Sequence, residues 1–282
     1  MVRHATGFLL GALFLLTLTP AVADDFDTDA GALPIDSDRV YILQVQPVFT
    51  AEQTEDVFRP LVEYLNSATP YRFDLRLTRD FHRHWLEMRR GLTPDLVFED
   101  AHLIARRIRQ DGYTPLVKAE EPGTFSLMVS PGLAGDDLNA LVGMTIASLP
   151  SPSLGYLILA SWFDNPMQQP NILSSANSWL DAVESIFSME AEAAVVPHNL
   201  VGRYVNLDVI ATSDSFPYSS IAASPGVPVD VQIAITDALI ALRDNPEYFQ
   251  VLHELDIEGF IAASESDYRG LEAWLDRVFT LL

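Results

Sequence analysis

The sequence predicts an α/β fold of two lobes, each a mixed and mostly parallel sheet flanked by helices, with two hinge strands joining them. Three observations predict it. A strand-then-helix rhythm runs from Val40 to Phe98, and the same rhythm resumes from Val142 to Val196. Two strand-like stretches punctuated by Pro and Gly, Pro115 to Pro131 and Ile210 to Pro228, lie at the ends of the second block and suit a chain that crosses from one lobe to the other and back.

The elements follow in order. Val40, Ile42 and Val45 sit in a β-rich run, and Thr50 with Gln53 has the form of a capping box opening a helix that repeats Val57, Leu61 and Leu65 at helical spacing. Phe73, Leu75 and Leu77 alternate with charged residues as in a strand exposed on one face. A helix from Phe81 to Arg90 stops at Gly91, and a strand runs from Asp95 to Phe98. Strand–helix–strand units of this kind imply parallel pairing with right-handed crossovers. Val142 to Ser148, Leu154 to Trp162 and Ala193 to Val196 give a second strand, helix and strand, and Val209 to Ser213 a returning strand. The helices Val229 to Arg243 and Tyr268 to Phe279 return to the first lobe. The division that follows is residues 39–122 with 218–282 for lobe 1 and 123–217 for lobe 2.

Ahead of this lie two segments of another kind. A basic start at Arg3 and His4, an apolar run from Phe8 to Leu18 and the small-residue site Ala21-Val22-Ala23 read as a secretory signal peptide, residues 1–23. Residues 24–38 are acidic and rich in small side chains, a flexible leader. The apolar run is short for a membrane span, and the chain has no cysteine, hence no disulfide, no thiolate nucleophile and no lipid-modified cysteine. These features predict a soluble exported protein, free in the periplasm and without a lipid anchor.

A net charge of −22 argues against nucleic acid or an anionic membrane as partner, and suits solubility in salty surroundings. Between Lys118, the only lysine, and Arg203 there is no Lys or Arg. An anion held by that central segment must rely on N–H groups, hydroxyls and a helix dipole. The turn Ser148-Leu149-Pro150-Ser151-Pro152-Ser153 before the helix at Leu154 offers such groups, though Ser and Pro at helix starts are also ordinary capping chemistry.

Ligands of open α/β sheets sit at the carboxyl ends of strands. That rule selects Pro47 to Thr50, Phe98 to His102, Ser148 to Ser153, Asn177 to Trp179 and Val196 to Asn199. In this order and spacing the chain resembles, from about Val40 to Asp267, the periplasmic phosphate/phosphite/phosphonate-binding proteins of ABC transporters, a family with the type II periplasmic binding protein fold. The resemblance implies a binding protein rather than an enzyme, one that closes its lobes on a small oxyanionic solute and presents it to an ABC permease, with no cofactor or metal and as a monomer. It implies that Ser151 and Ser153, with Ser148 just upstream, grip the oxyanion, that Thr50 reaches it from the first lobe, and that His102 and Trp179 form walls.

The chain departs from the family pattern at three places. Pro152 removes an N–H donor from the turn. Glu99 and Asp100 stand where small residues are usual, either as helix-start carboxylates or facing a ligand that carries a cationic or hydroxyl group. Trp179 stands where a His-Asp pair is frequent, either as core packing or as a stacking wall. His82 and His84 near Glu87 do not share a helix face and predict no metal site. Ser151, His198 and Asp100 lack the Gly-x-Ser-x-Gly setting of a hydrolase nucleophile. A solute sensor docking on a membrane histidine kinase or cyclase, and an enzyme on the same scaffold, remain as alternatives.

Overall fold

Two sheets with separate strand orders organise the chain, in a computed structural model that describes residues 39–133 and 137–279. The expected signal peptide and leader lie outside the described residues.

The first sheet is built from β1 (Val40–Val45), β2 (Arg72–Arg76), β3 (Leu96–Glu99), β4 (Thr114–Ala119), β10 (Ser220–Ala223) and β11 (Phe260–Ala262), in the order β11-β4-β10-β3-β1-β2. The second has β5 (Phe125–Val129), β6 (Thr145–Ala147), β7 (Asn171–Leu173), β8 (Ala193–Pro197) and β9 (Asp208–Thr212), in the order β7-β6-β8-β5-β9. β1 pairs in parallel with β2 and β3, and β6 with β7 and β8, through helical crossovers. β10 and β5 run antiparallel to their neighbours. Both are entered by a short link from the other sheet, which leaves no length for a helical crossover.

Helices α1 (Ala51–Ala68), α6 (Val229–Ala241) and α7 (Phe249–Leu255) cover the first sheet, where Phe58, Leu61, Ile235, Leu239 and Leu252 are buried against β-strand residues such as Leu43 and Val117. α2 (Phe81–Arg89) and α3 (Ala101–Arg106) flank β3. In the second lobe α4 (Leu154–Trp162) and α5 (Trp179–Phe187) bury Ile158, Val183 and Ile186 against Leu127, Ile146 and Val195.

The Thr50–Gln53 capping box is present at the start of α1. At the other end of the chain, the helix expected from Tyr268 is interrupted. A 3-10 turn, Glu265–Tyr268, is followed by Gly270 at φ +85°, a left-handed backbone that ends the turn before α8 (Ala273–Phe279). Strand β2 stops at Arg76, one residue short of Leu77.

The two links between the sheets run side by side. Gly123 and Phe216 exchange backbone hydrogen bonds of 2.9 and 2.8 Å, and the N–H of Ala119 donates to the Tyr218 carbonyl at 2.8 Å. A Cβ on Gly123 would lie 2.6 Å from the Tyr218 ring, so glycine permits this approach. Among the described residues no helix is long and apolar enough to cross a membrane.

Candidate functional site

At the carboxyl end of β3 the chain places two adjacent carboxylates in opposite circumstances. Glu99 points into the protein, where Arg107 grips it with two charge-assisted bonds, Nε to Oε2 and Nη2 to Oε1, both 2.7 Å. The His84 ring lies 2.9 Å away through Nε2, and its Nδ1 faces the Gln44 amide nitrogen at 3.1 Å. An amide NH₂ only donates, so Nδ1 accepts and Nε2 carries the proton toward Glu99. Burial opposes the charge on Glu99, but Arg107 and His84 outweigh it and hold the carboxyl at about 2. Glu99 is thereby committed to the core.

Asp100 points the other way, into the cleft. Gln46, just past β1, fixes it twice: its Oε1 accepts the Asp100 N–H at 2.8 Å and its Nε2 donates to Oδ2 at 2.7 Å. A second donor to the carboxylate comes from the opposite lobe, the backbone N–H of Leu154 at the start of α4. Both partners are neutral groups, and no Lys or Arg pairs with Asp100 among the described residues. Burial pushes the carboxyl up to about 6 against the pull of the Gln46 bond, and the neighbouring Glu99 adds to the rise.

Two residues further on, in the first turn of α3, His102 binds the same feature of the second lobe. It is buried, and Nε2 donates to the Pro152 carbonyl at 2.8 Å. Its Nδ1 has no hydrogen-bond partner, and burial lowers the imidazole to about 4, so the ring is neutral. Asp100 and His102 together fasten the β3–α3 corner to the turn before α4.

That turn is built by capping. Ser153 is the N-cap of α4: its Oγ accepts the Tyr156 N–H at 3.3 Å and donates to the Leu149 carbonyl at 3.2 Å. Ser148 is buried, with its Oγ unpartnered. Ser151 is half-buried, and the Ser151–Pro152 peptide bond is cis.

Beside Asp100 lies a cavity of about 150 Å³. The first lobe contributes Gln46, Phe49 and Asp100 to its lining, and the second contributes Phe125, Trp179 and Asn199. Tyr218, from the returning link, Ser178, Ser219, Arg203, Glu254 and Asp256 are among its other polar lining residues. Trp179 is the first residue of α5, buried edge-on against Phe125 with ring centroids 5.4 Å apart. A Cβ at Gly155 would come within 2.7 Å of its ring, so that glycine lets α4 approach the indole. Tyr218 bonds Asn199 and Ser219; burial and the charge of Asp100 push its hydroxyl up, so it remains a proton donor. A second chamber, of about 300 Å³, is lined by Thr50, Arg79, Leu149, Pro150 and Asn177 among others.

Of the residues expected from the sequence, Trp179 lines the first chamber and Thr50 the second. Ser151, Ser153, Ser148 and His102 line neither chamber: Asp100 stands on the Leu154 N–H, and His102 takes the Pro152 carbonyl. Gln46, Tyr218, Asn199 and Arg203 were not singled out as site residues. The strand-end rule reached Asn199, whereas Gln46 falls one residue short of the selected loop and Tyr218 sits in a link that no motif marks.

Two sheets with these strand orders, joined by a paired double link over a cleft, define a two-lobed binding protein of the type II periplasmic class. Solved structures share the fold. PhnD1 from Prochlorococcus marinus in complex with methylphosphonate has 12% identity and a TM-score of 0.70, covering 85% of this chain and 98% of its own. A binding protein component of an ABC phosphonate transporter from Pseudomonas aeruginosa has 16% identity and a TM-score of 0.71, with coverage of 86% and 88%. A Xanthomonas citri protein bound to ATP has 16% identity and a TM-score of 0.67, with coverage of 86% and 98%. No curated protein matches the chain in sequence. The chain belongs to the family described as ABC transporter, phosphonate, periplasmic substrate-binding protein, whose model matches residues 43–268. That family supplies the substrate-binding, periplasmic component of ABC phosphonate transporters.

Proposed function

We propose that this chain captures a small phosphoryl- or phosphonyl-type oxyanion between its lobes and hands it to the permease of an ABC importer. The observation that carries the reading is the cavity beside Asp100, lined from both lobes and from the Tyr218 link. A solute touching both lobes favours the closed form by its differential affinity, and that is the whole mechanism of a binding protein. The polar groups at hand for an oxyanion are the Tyr218 hydroxyl, the Asn199 amide and the Arg203 guanidinium, with Phe125 and Trp179 as apolar walls. Ser151, Ser153 and Thr50 would join if the Asp100 and His102 contacts rearrange around the solute.

The lobes divide at the paired links, residues 39–122 with 218–282 against 123–217, and the links are the hinge. The protein works as a soluble periplasmic monomer after cleavage at Ala23 and turns nothing over. Calorimetric titration of the mature protein with phosphate, phosphite and methylphosphonate tests the reading. Saturable binding at one site per chain is expected, with the titrated compound recovered unchanged. No binding of any of the three by folded protein at pH 5.5 to 8 would overturn it.

A further inference from the structure

Carboxylates are poor company for anions, so the placement of Asp100 calls for an account. It faces the cavity with no basic partner, and it accepts the Leu154 N–H at the start of a nine-residue helix, where an oxyanion would otherwise gain most. Gln46 Nε2 holds the carboxylate while its Oε1 holds the Asp100 backbone N–H, so swinging outward would break the side-chain bond.

The surrounding ionisable groups do not neutralise it. Glu99 is spent on Arg107 and His84, His102 is a neutral ring directed at Pro152, and Tyr218 is a protonated phenol. Glu99, Glu254 and Asp256 line the cavity with Asp100 and add negative charge, and among the lining residues only Arg203, an exposed residue, adds positive.

We infer that Asp100 is a specificity-determining residue that admits an oxyacid only when one proton is shared between its own carboxyl and an oxygen of the solute. A carboxylate can only accept, so a phosphoryl or phosphonyl group that keeps one P–O–H donates to it, and a fully ionised oxygen meets like charge in a poorly screened cavity. Alternatively Asp100 carries the proton and donates it; the count is the same. No bond to phosphorus forms or breaks, and the proton comes from solvent or arrives on the solute. A sulfonate, which has no proton to give near neutral pH, is excluded for as long as Asp100 is ionised. The inference rests on the oxyanion reading above and narrows it to protonatable oxyacids.

The carboxyl's elevated affinity for protons, with a midpoint of about 6, places this choice in an accessible pH range. The test is titration of the mature protein with methylphosphonate and with methanesulfonate from pH 5 to 8.5, in two buffers of different ionisation enthalpy. Methylphosphonate should bind with net proton uptake and weaken about tenfold per pH unit once both partners have lost their protons. Methanesulfonate should bind at least about 100-fold more weakly at pH 7.5 and recover as the pH falls below 6. In Asp100→Asn, whose amide can donate, the discrimination and the proton uptake should both collapse.

Equal affinity of the wild type for the two compounds, or an Asp100→Asn variant that keeps the preference and the pH slope, overturns the inference and leaves the oxyanion reading standing. Failure of wild type and variant to bind either compound at any pH overturns the oxyanion reading itself. The wild-type slope and selectivity decide the matter even if Asp100→Asn does not fold.

Discussion

Replacing Arg107 with Met should uncover the cost of the buried carboxylate at the end of β3. The Arg107 and Glu99 side chains are 1% and 0% exposed, so the variant leaves Glu99 in the core with only His84 for support. Removing one partner of a buried pair typically costs about 3–5 kcal/mol. The carboxyl itself gives an independent figure. Its fall from 4.5 to about 2 corresponds to roughly 3 kcal/mol of stability that the charged form draws from its surroundings.

For a domain of this size about 3 kcal/mol is a melting-temperature drop on the order of 10 °C. Because the folded value lies below the unfolded one, the wild type holds this stability above pH 4.5 and loses it as the pH falls toward 2. In Arg107→Met burial acts without its main opponent, Glu99 prefers its proton, and the variant recovers as the pH is lowered. Urea unfolding of both proteins at pH 7 and pH 4.5 should therefore give a large gap that narrows with acid. A gap below about 1 kcal/mol at pH 7, or one independent of pH, would show that Glu99 is not sustained by this pair.

Further outcomes follow from neighbouring residues. Asp100 titrates higher in the fold than in the unfolded chain, so its stabilising share is complete below pH 3.8 and lost as the pH rises through about 6. Asp100→Asn should accordingly melt above the wild type at pH 8, by up to about 3 kcal/mol in stability, and the difference should vanish near pH 4 in differential scanning calorimetry. Gly155→Ala brings a Cβ to 2.7 Å from the Trp179 ring and should cost roughly 1–3 kcal/mol by overpacking, read from a denaturant midpoint together with a shifted tryptophan emission. An unaltered emission with full stability would mean that the indole has room to move.

The sequence carried the alternation of strands and helices because Val57, Leu61 and Leu65 or Phe73 and Leu75 repeat at the periods of their elements. It was silent on β7, β11 and α7, short elements whose residues gain their structure from tertiary pairing, as Phe260 does opposite Ala119. The parallel expectation held where helices cross over and gave way at β5 and β10, whose direction is set by the inter-lobe links.

The site was legible as loops but not as atoms. The strand-end rule located Asp100, Trp179 and Asn199, but a local spacing does not say which of two adjacent carboxylates is paired with an arginine and which stands without a basic partner. That choice is made by partners 54 residues away in one case and 8 in the other, Gln46 with Asp100 and Arg107 with Glu99. The serine turn is legible as a helix start rich in hydroxyls because capping an N-terminus and gripping an oxyanion use the same groups; in this structure Leu149 and Tyr156 take up the Ser153 hydroxyl.

Trp179 reports on the cavity by its position, beside Phe125 and within the lining that both lobes share. Titration of methylphosphonate into the mature protein at pH 6, followed by tryptophan fluorescence, should give a saturable change in the wild type. The change should disappear in Trp179→Phe, although calorimetry still records binding. A saturable change that persists in Trp179→Phe would put the solute elsewhere, and no change with no heat of binding would contradict capture of an oxyanion in this cleft.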